Sequence, residues 1–94
     1  MVNCIERDFP DIIEYDQNGQ LESENWYQNE ERHREGDLPA KIYYDDNGQI
    51  REKIWYKNGK WHREGNLPAV IEYDENGQIR KEKWFMYGCN YRVD

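Results

Sequence analysis

The stretch HREGDLPAKIYYDDNGQIREKIWYKNGKW, His33 to Trp61, overlays HREGNLPAVIEYDENGQIRKEKWFMYGCN, His62 to Asn90, without a gap. The same step backward gives CIERDFPDIIEYDQNGQLESENWYQNEER, Cys4 to Arg32, and a step forward leaves only Tyr91 to Asp94. Chance similarity would not hold Pro10, Pro39 and Pro68, or Trp26, Trp55 and Trp84, in step across a fixed period of 29 residues. A period of this length is the signature of a repeat protein whose units stack on one another. The expected organisation is therefore a single domain, 1–94, built as repeats 4–32, 33–61 and 62–90 with a truncated start of a fourth at 91–94.

Within a unit the punctuation is that of antiparallel strands. A proline opens Ala40-Lys41-Ile42-Tyr43-Tyr44, in which alternate residues share a face. Asp45-Asp46-Asn47-Gly48 then predicts a tight turn: Asn and Gly tolerate positive φ, and Asp can accept hydrogen bonds from its own turn. A second strand is expected from Gln49 to Lys57, a second turn at Asn58-Gly59, and a short third segment from Lys60 to Glu64. No segment has a useful helical period. The fold class predicted is all-β: tandem antiparallel β-meander repeats forming an elongated, single-layer or weakly curved sheet.

Side-chain placement is partly legible. Ile13, Ile42 and Ile71 lie two residues from Tyr15, Tyr44 and Tyr73, so these share one face. Leu21, Ile50 and Ile79 lie five residues before Trp26, Trp55 and Trp84, which strict alternation puts on opposite faces. Either a bulge returns each Trp to the core face or the sheet is covered on both sides.

Composition bounds the function. Leu, Ile, Val and Phe make only 16 of 94 residues, but four Trp and eight Tyr supply large apolar areas. No run of about 18 apolar residues predicts a membrane span, and the charged start of the chain does not read as a secretory signal. Cys4 and Cys89 stand near opposite ends of a linear array and are expected as free thiols in a reducing cytoplasm. The formal charge is −7, and its excess lies at one end: residues 1–36 hold ten acids against three bases, while residues 37–94 hold ten of each. A one-signed patch attracts opposite charge and rejects its own sign.

At Trp55-Tyr56-Lys57-Asn58-Gly59-Lys60-Trp61-His62-Arg63-Glu64-Gly65 the chain resembles the MORN repeat and its variants. The longer HREGNLPAVIEYDENGQI, His62 to Ile79, is similar to a MORN-related form common in bacterial, phage and large-virus proteins. The resemblance implies β-hairpin units and stoichiometric binding, mostly of proteins and sometimes of membrane lipids. Some bacterial variants are labelled antitoxins, and small phage proteins often inhibit host defences, so an anti-defence, anti-CRISPR-like role belongs to the same class. The first repeat departs from the pattern: Cys4-Ile5-Glu6-Arg7 replaces His-Arg-Glu-Gly, and Glu30 stands where Gly59 closes the second turn. Tyr91 likewise takes the His position at the other end. Capping of a terminal repeat explains such departures; a specialised binding surface at the same place is compatible with it.

Catalytic groups are sparse. The chain has no Thr, one serine (Ser23), and cysteines with no histidine beside them in sequence, so nothing predicts the convergence of nucleophile, base and orienting group. His33 and His62 occupy one repeat position and are expected to be structural, hydrogen-bonding between units with Arg34 and Arg63. Glu14-x-Asp16-x-Asn18-Gly19 and Glu72-x-Asp74-x-Asn76-Gly77 resemble the first half of a calcium loop. The closing bidentate Glu falls on Asn25, Ile54 or Lys83, so a turn explains these residues better and no metal or cofactor is expected. Basic and aromatic residues alternate from Arg51 to Arg63 as on a stacking platform for single strands, but the acidic first repeat opposes phosphate and anionic membrane alike.

The reading that remains is a non-catalytic protein-binding module. Its expected partner is a protein with a basic surface, such as the channel of a nucleic-acid-binding enzyme, met by Asp8, Asp11, Glu14, Asp16, Glu22, Glu24, Glu30 and Glu31. Trp61 is the second interface candidate, because its equivalents are Arg32 and Asn90 and a residue absent from the sister repeats is less expected in a core. The alternative is a module that binds its own copies, homodimers included, since an open β array leaves edges to be paired or guarded.

Overall fold

A computed structural model describes residues 9–34 and 36–92, the last of these by its backbone alone. Cys4 and Asp8 lie outside the described residues. The chain runs as β1 (Ile12–Tyr15), β2 (Leu21–Asn25), β3 (Tyr27–Gln28), β4 (Glu31–Arg32), β5 (Lys41–Tyr44), β6 (Ile50–Ile54), β7 (Tyr56–Lys57), β8 (Lys60–Trp61), β9 (Val70–Tyr73), β10 (Ile79–Met86) and β11 (Cys89–Arg92). There is no helix among the described residues. Seven strands form one open antiparallel sheet in the order β1-β2-β5-β6-β9-β10-β11, while β3-β4 and β7-β8 are short hairpins beside it. The molecule is a slab of 45 × 35 × 22 Å.

Two turn chemistries build each unit, and in the second unit both are spelled Asn-Gly. In the long turns Asp16, Asp45 and Asp74 each accept two backbone N–H groups at Oδ1, from residues two and four ahead, at 2.8–3.0 Å. Only the glycine there takes positive φ, 81° at Gly19, Gly48 and Gly77. The expected positive φ at the preceding Asn is not adopted, because the Asp side chain already supplies the turn's acceptor. In the short hairpins both central residues are left-handed, Asn58 at 52° and Gly59 at 83°, as the mirror-image hairpin turn requires.

The face of the tryptophans is set by a bulge. Glu14 pairs with Ser23 and Tyr15 with Leu21, so Glu22 has no residue opposite; Arg51 and Arg80 are left over in the same way. One extra residue inverts the alternation. Ile50 and the tryptophans therefore share a face. The predicted second strand, Gln49 to Lys57, also divides at Trp55, where the chain leaves the main sheet for the short hairpin.

The core is assembled between units. Trp26 packs with Ala40 and Ile42, and with Tyr44, Ile50 and Tyr56 of the second unit. Trp55 packs with Ala69 and Ile71, and with Tyr73 and Phe85 of the third. Backbone bonds repeat the joint: Trp26 N–H donates to the Ala40 carbonyl (2.8 Å) and Trp55 N–H to that of Ala69 (2.7 Å). Ala40 and Ala69 have no exposed surface, so nothing larger than a methyl fits beneath the indole. Each indole is closed from the other side by a guanidinium, Arg34 over Trp26 at 3.7 Å and Arg63 over Trp55 at 3.8 Å, itself held by the carbonyl of Pro39 or Pro68.

The histidines are structural in geometry, with partners other than the arginines expected. His33 Nδ1 accepts the Asn58 N–H at 3.3 Å, and His62 Nδ1 accepts that of Tyr87 at 3.0 Å. Each ring thus ties the end of one short hairpin to the turn of the next. With Nδ1 an acceptor, the His62 proton sits on Nε2 and is donated to Glu64, 2.9 Å away.

Trp55→Ala empties the joint between units two and three, and should cost about 3–5 kcal/mol in urea or guanidinium unfolding. Asp45→Ala removes only a turn cap and should cost about 1 kcal/mol. Equal losses for the two would place the core elsewhere.

Candidate functional site

Among the described strands nothing covers the outer edge of the first unit, and its surface follows from that. Ile42 and Ile71 are buried beneath Trp26 and Trp55, whereas Ile13 is 42% exposed, with no indole laid over it among the described residues. Ile12 (47%), Tyr15 (61%) and Phe9 (68%) are open with it. All four residues of β1 are exposed, and among the described strands only β2 pairs with it. The acids rim this apolar strip: Asp11 precedes β1, Glu14 lies within it and Asp16 follows it. Residue-type counting found the acids and missed the apolar strip. The signal was present, because Ile13 and Tyr15 keep the Ile–Tyr spacing of the later units while Asp11 stands in the place of Ala40 and Ala69.

The predicted docking acids divide by how they are held. Asp11 Oδ2 accepts the Tyr27 N–H at 2.7 Å, and Glu14 Oε1 accepts the Ser23 hydroxyl at 2.6 Å. Ser23 Oγ accepts in turn from Asn25 Nδ2 at 3.2 Å, so the chain's one serine is spent on a buried polar chain that contains no histidine. Asp16 is committed to its turn, and Glu24 accepts from the Tyr44 hydroxyl. Burial, then that bond, pushes the Tyr44 phenol up to about 12. These four carboxylates give a field of fixed geometry. Glu22, on its bulge, and Glu30 and Glu31, at the tip of the first short hairpin, are exposed instead. Asp8 lies outside the described residues.

Glu30 is also strained. It takes φ of 70° where Gly59 and Gly88 stand in the sister turns, and the left-handed region costs a side-chain-bearing residue about 1–2 kcal/mol. Backbone strain kept at an exposed acid is a reason to look for a use.

Trp61 is placed in another joint. Its ring meets Phe85 edge to face at 4.8 Å, and its carbonyl accepts the Gly88 N–H at 2.8 Å. At the equivalent position the Arg32 guanidinium lies 5.4 Å from the Tyr27 ring and 5.6 Å from that of Tyr56. The position wedges neighbouring short hairpins together, and Trp61 keeps a half-exposed ring there.

Beside the short hairpins the charges pair with one another. An open hollow of about 240 Å³ between the main sheet and the short hairpins includes His62, Arg63, Lys57, Asp37 and Glu64 in its lining. Arg63 meets Asp37 at 3.1 Å, and His62 and Lys57 meet Glu64 at 2.9 and 3.5 Å. The His62 hydrogen bond and the Lys57 charge hold the Glu64 carboxyl below its ordinary value. A second hollow of about 400 Å³, lined by Asp16, Glu22, Asp45, Asp46 and Arg51 beside Tyr43, opens between the first two long turns. On the sheet face away from the tryptophans Glu52 sits directly opposite Glu72, and burial together with that neighbour raises its carboxyl above the usual range.

A family model described as MORN repeat variant matches residues 12–29, 41–58 and 69–83, more than half of the chain. No curated protein and no solved structure matches it.

Glu30→Gly should raise stability by about 1 kcal/mol, read from the urea midpoint at unchanged slope. A fall would mean that the carboxylate makes a stabilising contact. For Glu52, a raised folded-state value means that the ionised form opposes folding at neutral pH and the protonated form does not. Its contribution therefore improves as pH falls through the raised value toward 4.5. Glu52→Gln should raise the midpoint at pH 7 and lose that advantage near pH 4.

Proposed function

Since the chain belongs to the MORN repeat variant family, we propose that it is a non-catalytic module that works by binding another protein through its first unit. The matched repeats point to a protein-interaction or assembly module, in a family that is generally non-catalytic. The finer reading is a stoichiometric inhibitor, antitoxin-like or anti-defence in type, acting in the cytoplasm. It docks its acidic first unit on a basic surface of its partner and blocks the groove that surface lines.

The observation that carries this reading is the open first unit. An apolar strip left uncovered on one sheet edge and rimmed by carboxylates has the anatomy of an interface: a greasy centre that is desolvated on contact and a charged margin that selects the partner. Three of those carboxylates, Asp11, Glu14 and Asp16, are already ordered by internal hydrogen bonds, so less side-chain freedom is lost on association. The strain at Glu30 supports the same reading, since the sister turns show that glycine solves the fold better. The runner-up, self-association, draws on the same open edge.

The test is an affinity capture from the native host at low salt, with mass spectrometry of what is retained, repeated with Glu22, Glu30 and Glu31 changed to Lys. Glu24 is left in place because it holds Tyr44. The triple variant should bind the captured protein at least tenfold more weakly, and 0.5 M salt should narrow the difference. Retention unaltered by both treatments would remove charge docking; a size that falls on dilution would favour self-assembly.

A further inference from the structure

The joints inside the molecule specify what would fit on its open end. Where β2 meets β5, Ser23 lies opposite Tyr43, Glu24 opposite Ile42 and Asn25 opposite Lys41, and Trp26 follows over Ala40. Where β6 meets β9, Glu52 lies opposite Glu72, Lys53 opposite Ile71 and Ile54 opposite Val70, and Trp55 follows over Ala69. In both joints a long charged side chain crosses the Ile and reaches the Tyr two residues beyond it. Glu24 bonds the Tyr44 hydroxyl, and Lys53 stands 5.5 Å from the Tyr73 ring.

The outer edge of β1 is the receiving half of such a joint, with Ile13 and Tyr15 in the places of Ile71 and Tyr73 but Asp11 in the place of Ala69. We propose that a basic, extended segment of the partner protein adds to this edge as an antiparallel strand. The proposal rests on the docking reading above and names its chemistry. The incoming strand carries a base opposite Glu14, a Lys or Arg opposite Ile13 whose head lies on the Tyr15 ring as Lys53 lies on Tyr73, an apolar residue opposite Ile12, and a Lys or Arg against Asp11. Main-chain bonds to an open edge give such a complex its hold, and alternate side chains give its selectivity. A second copy is the poorer occupant. Its β10 would bring Lys81 to Glu14 and Glu82 to Ile13, and would then press Trp84 on Asp11, burying a carboxylate with no cation beside it. The substitution of Asp for Ala thus guards the edge against the chain's own end while suiting it to a cation.

The probe is a capped ten-residue peptide with Lys-Lys-Val-Arg at its centre and Thr and Val on either side, titrated into the isotope-labelled protein and followed by amide NMR. A second peptide of the same sequence and charge, methylated at alternate backbone nitrogens, cannot pair with a strand edge. The first peptide should shift Ile12–Tyr15 and slow their amide exchange, and the methylated one should bind at least tenfold more weakly. Asp11→Lys and Ile13→Glu should each weaken the first peptide about tenfold in proteins whose amide spectra show them folded; Ile13→Glu keeps the Asp11 bond to Tyr27. Equal binding of the two peptides, shifts confined to the Glu30–Glu31 tip, or β1 protected without peptide in a protein that sediments as an oligomer would each overturn strand addition. A captured partner that binds the Ile13→Glu variant as well as it binds the parent protein would overturn strand addition alone and leave the docking reading standing.

Discussion

An indole lying on a bare alanine methyl is the contact on which the rest of the molecule depends. The main sheet of each unit is too short to bury its own apolar residues. Its Ile and Ala are covered only when the preceding unit lays a Trp across them, as Trp26 does for Ala40 and Ile42. Stability therefore resides in joints, which is the general condition of repeat architectures. The bulge at Glu22, Arg51 and Arg80 and the guanidiniums of Arg34 and Arg63 serve that contact. One turns the Trp to the right face; the other closes its far side.

A joint needs two halves, and β1 presents one that no described strand fills, whereas Trp84 in the last unit is buried. At the start this leaves Ile13 and Tyr15 open, and Asp11 occupies the place where an alanine would invite another indole. A carboxylate there is incompatible with a dry Trp contact and compatible with a cation. The substitution of Asp for Ala at this position therefore changes the chemistry of the surface as well as its fit to an indole.

The first unit also spends side chains on ordering its acids. Ser23 and Asn25 are buried polar residues where the second unit has Glu52 and the apolar Ile54, and they lead through hydrogen bonds to Glu14. A core optimised for stability alone would have used apolar residues at these places. A carboxylate in fixed geometry is what those residues obtain in exchange.

The chain's own letters determined the period, the strand and turn order, the antiparallel class, and the concentration of negative charge in the first unit, because each depends on residues close together in sequence. They also placed the departures at Glu30 and at the start of the first repeat. Tertiary structure alone decided the rest. The Trp face depended on a bulge that no residue type announces, since Glu22, Arg51 and Arg80 are ordinary surface residues. The two conformations of Asn-Gly, by contrast, follow from a local difference, the Asp two residues before the Asn that caps the long turn. That Asp11, Glu14 and Glu24 are held, and that Trp61 wedges against Phe85, depended on partners 9 to 24 positions away in the chain. Local spacing fixes what one unit can form; only packing between units fixes which of its surfaces remain open.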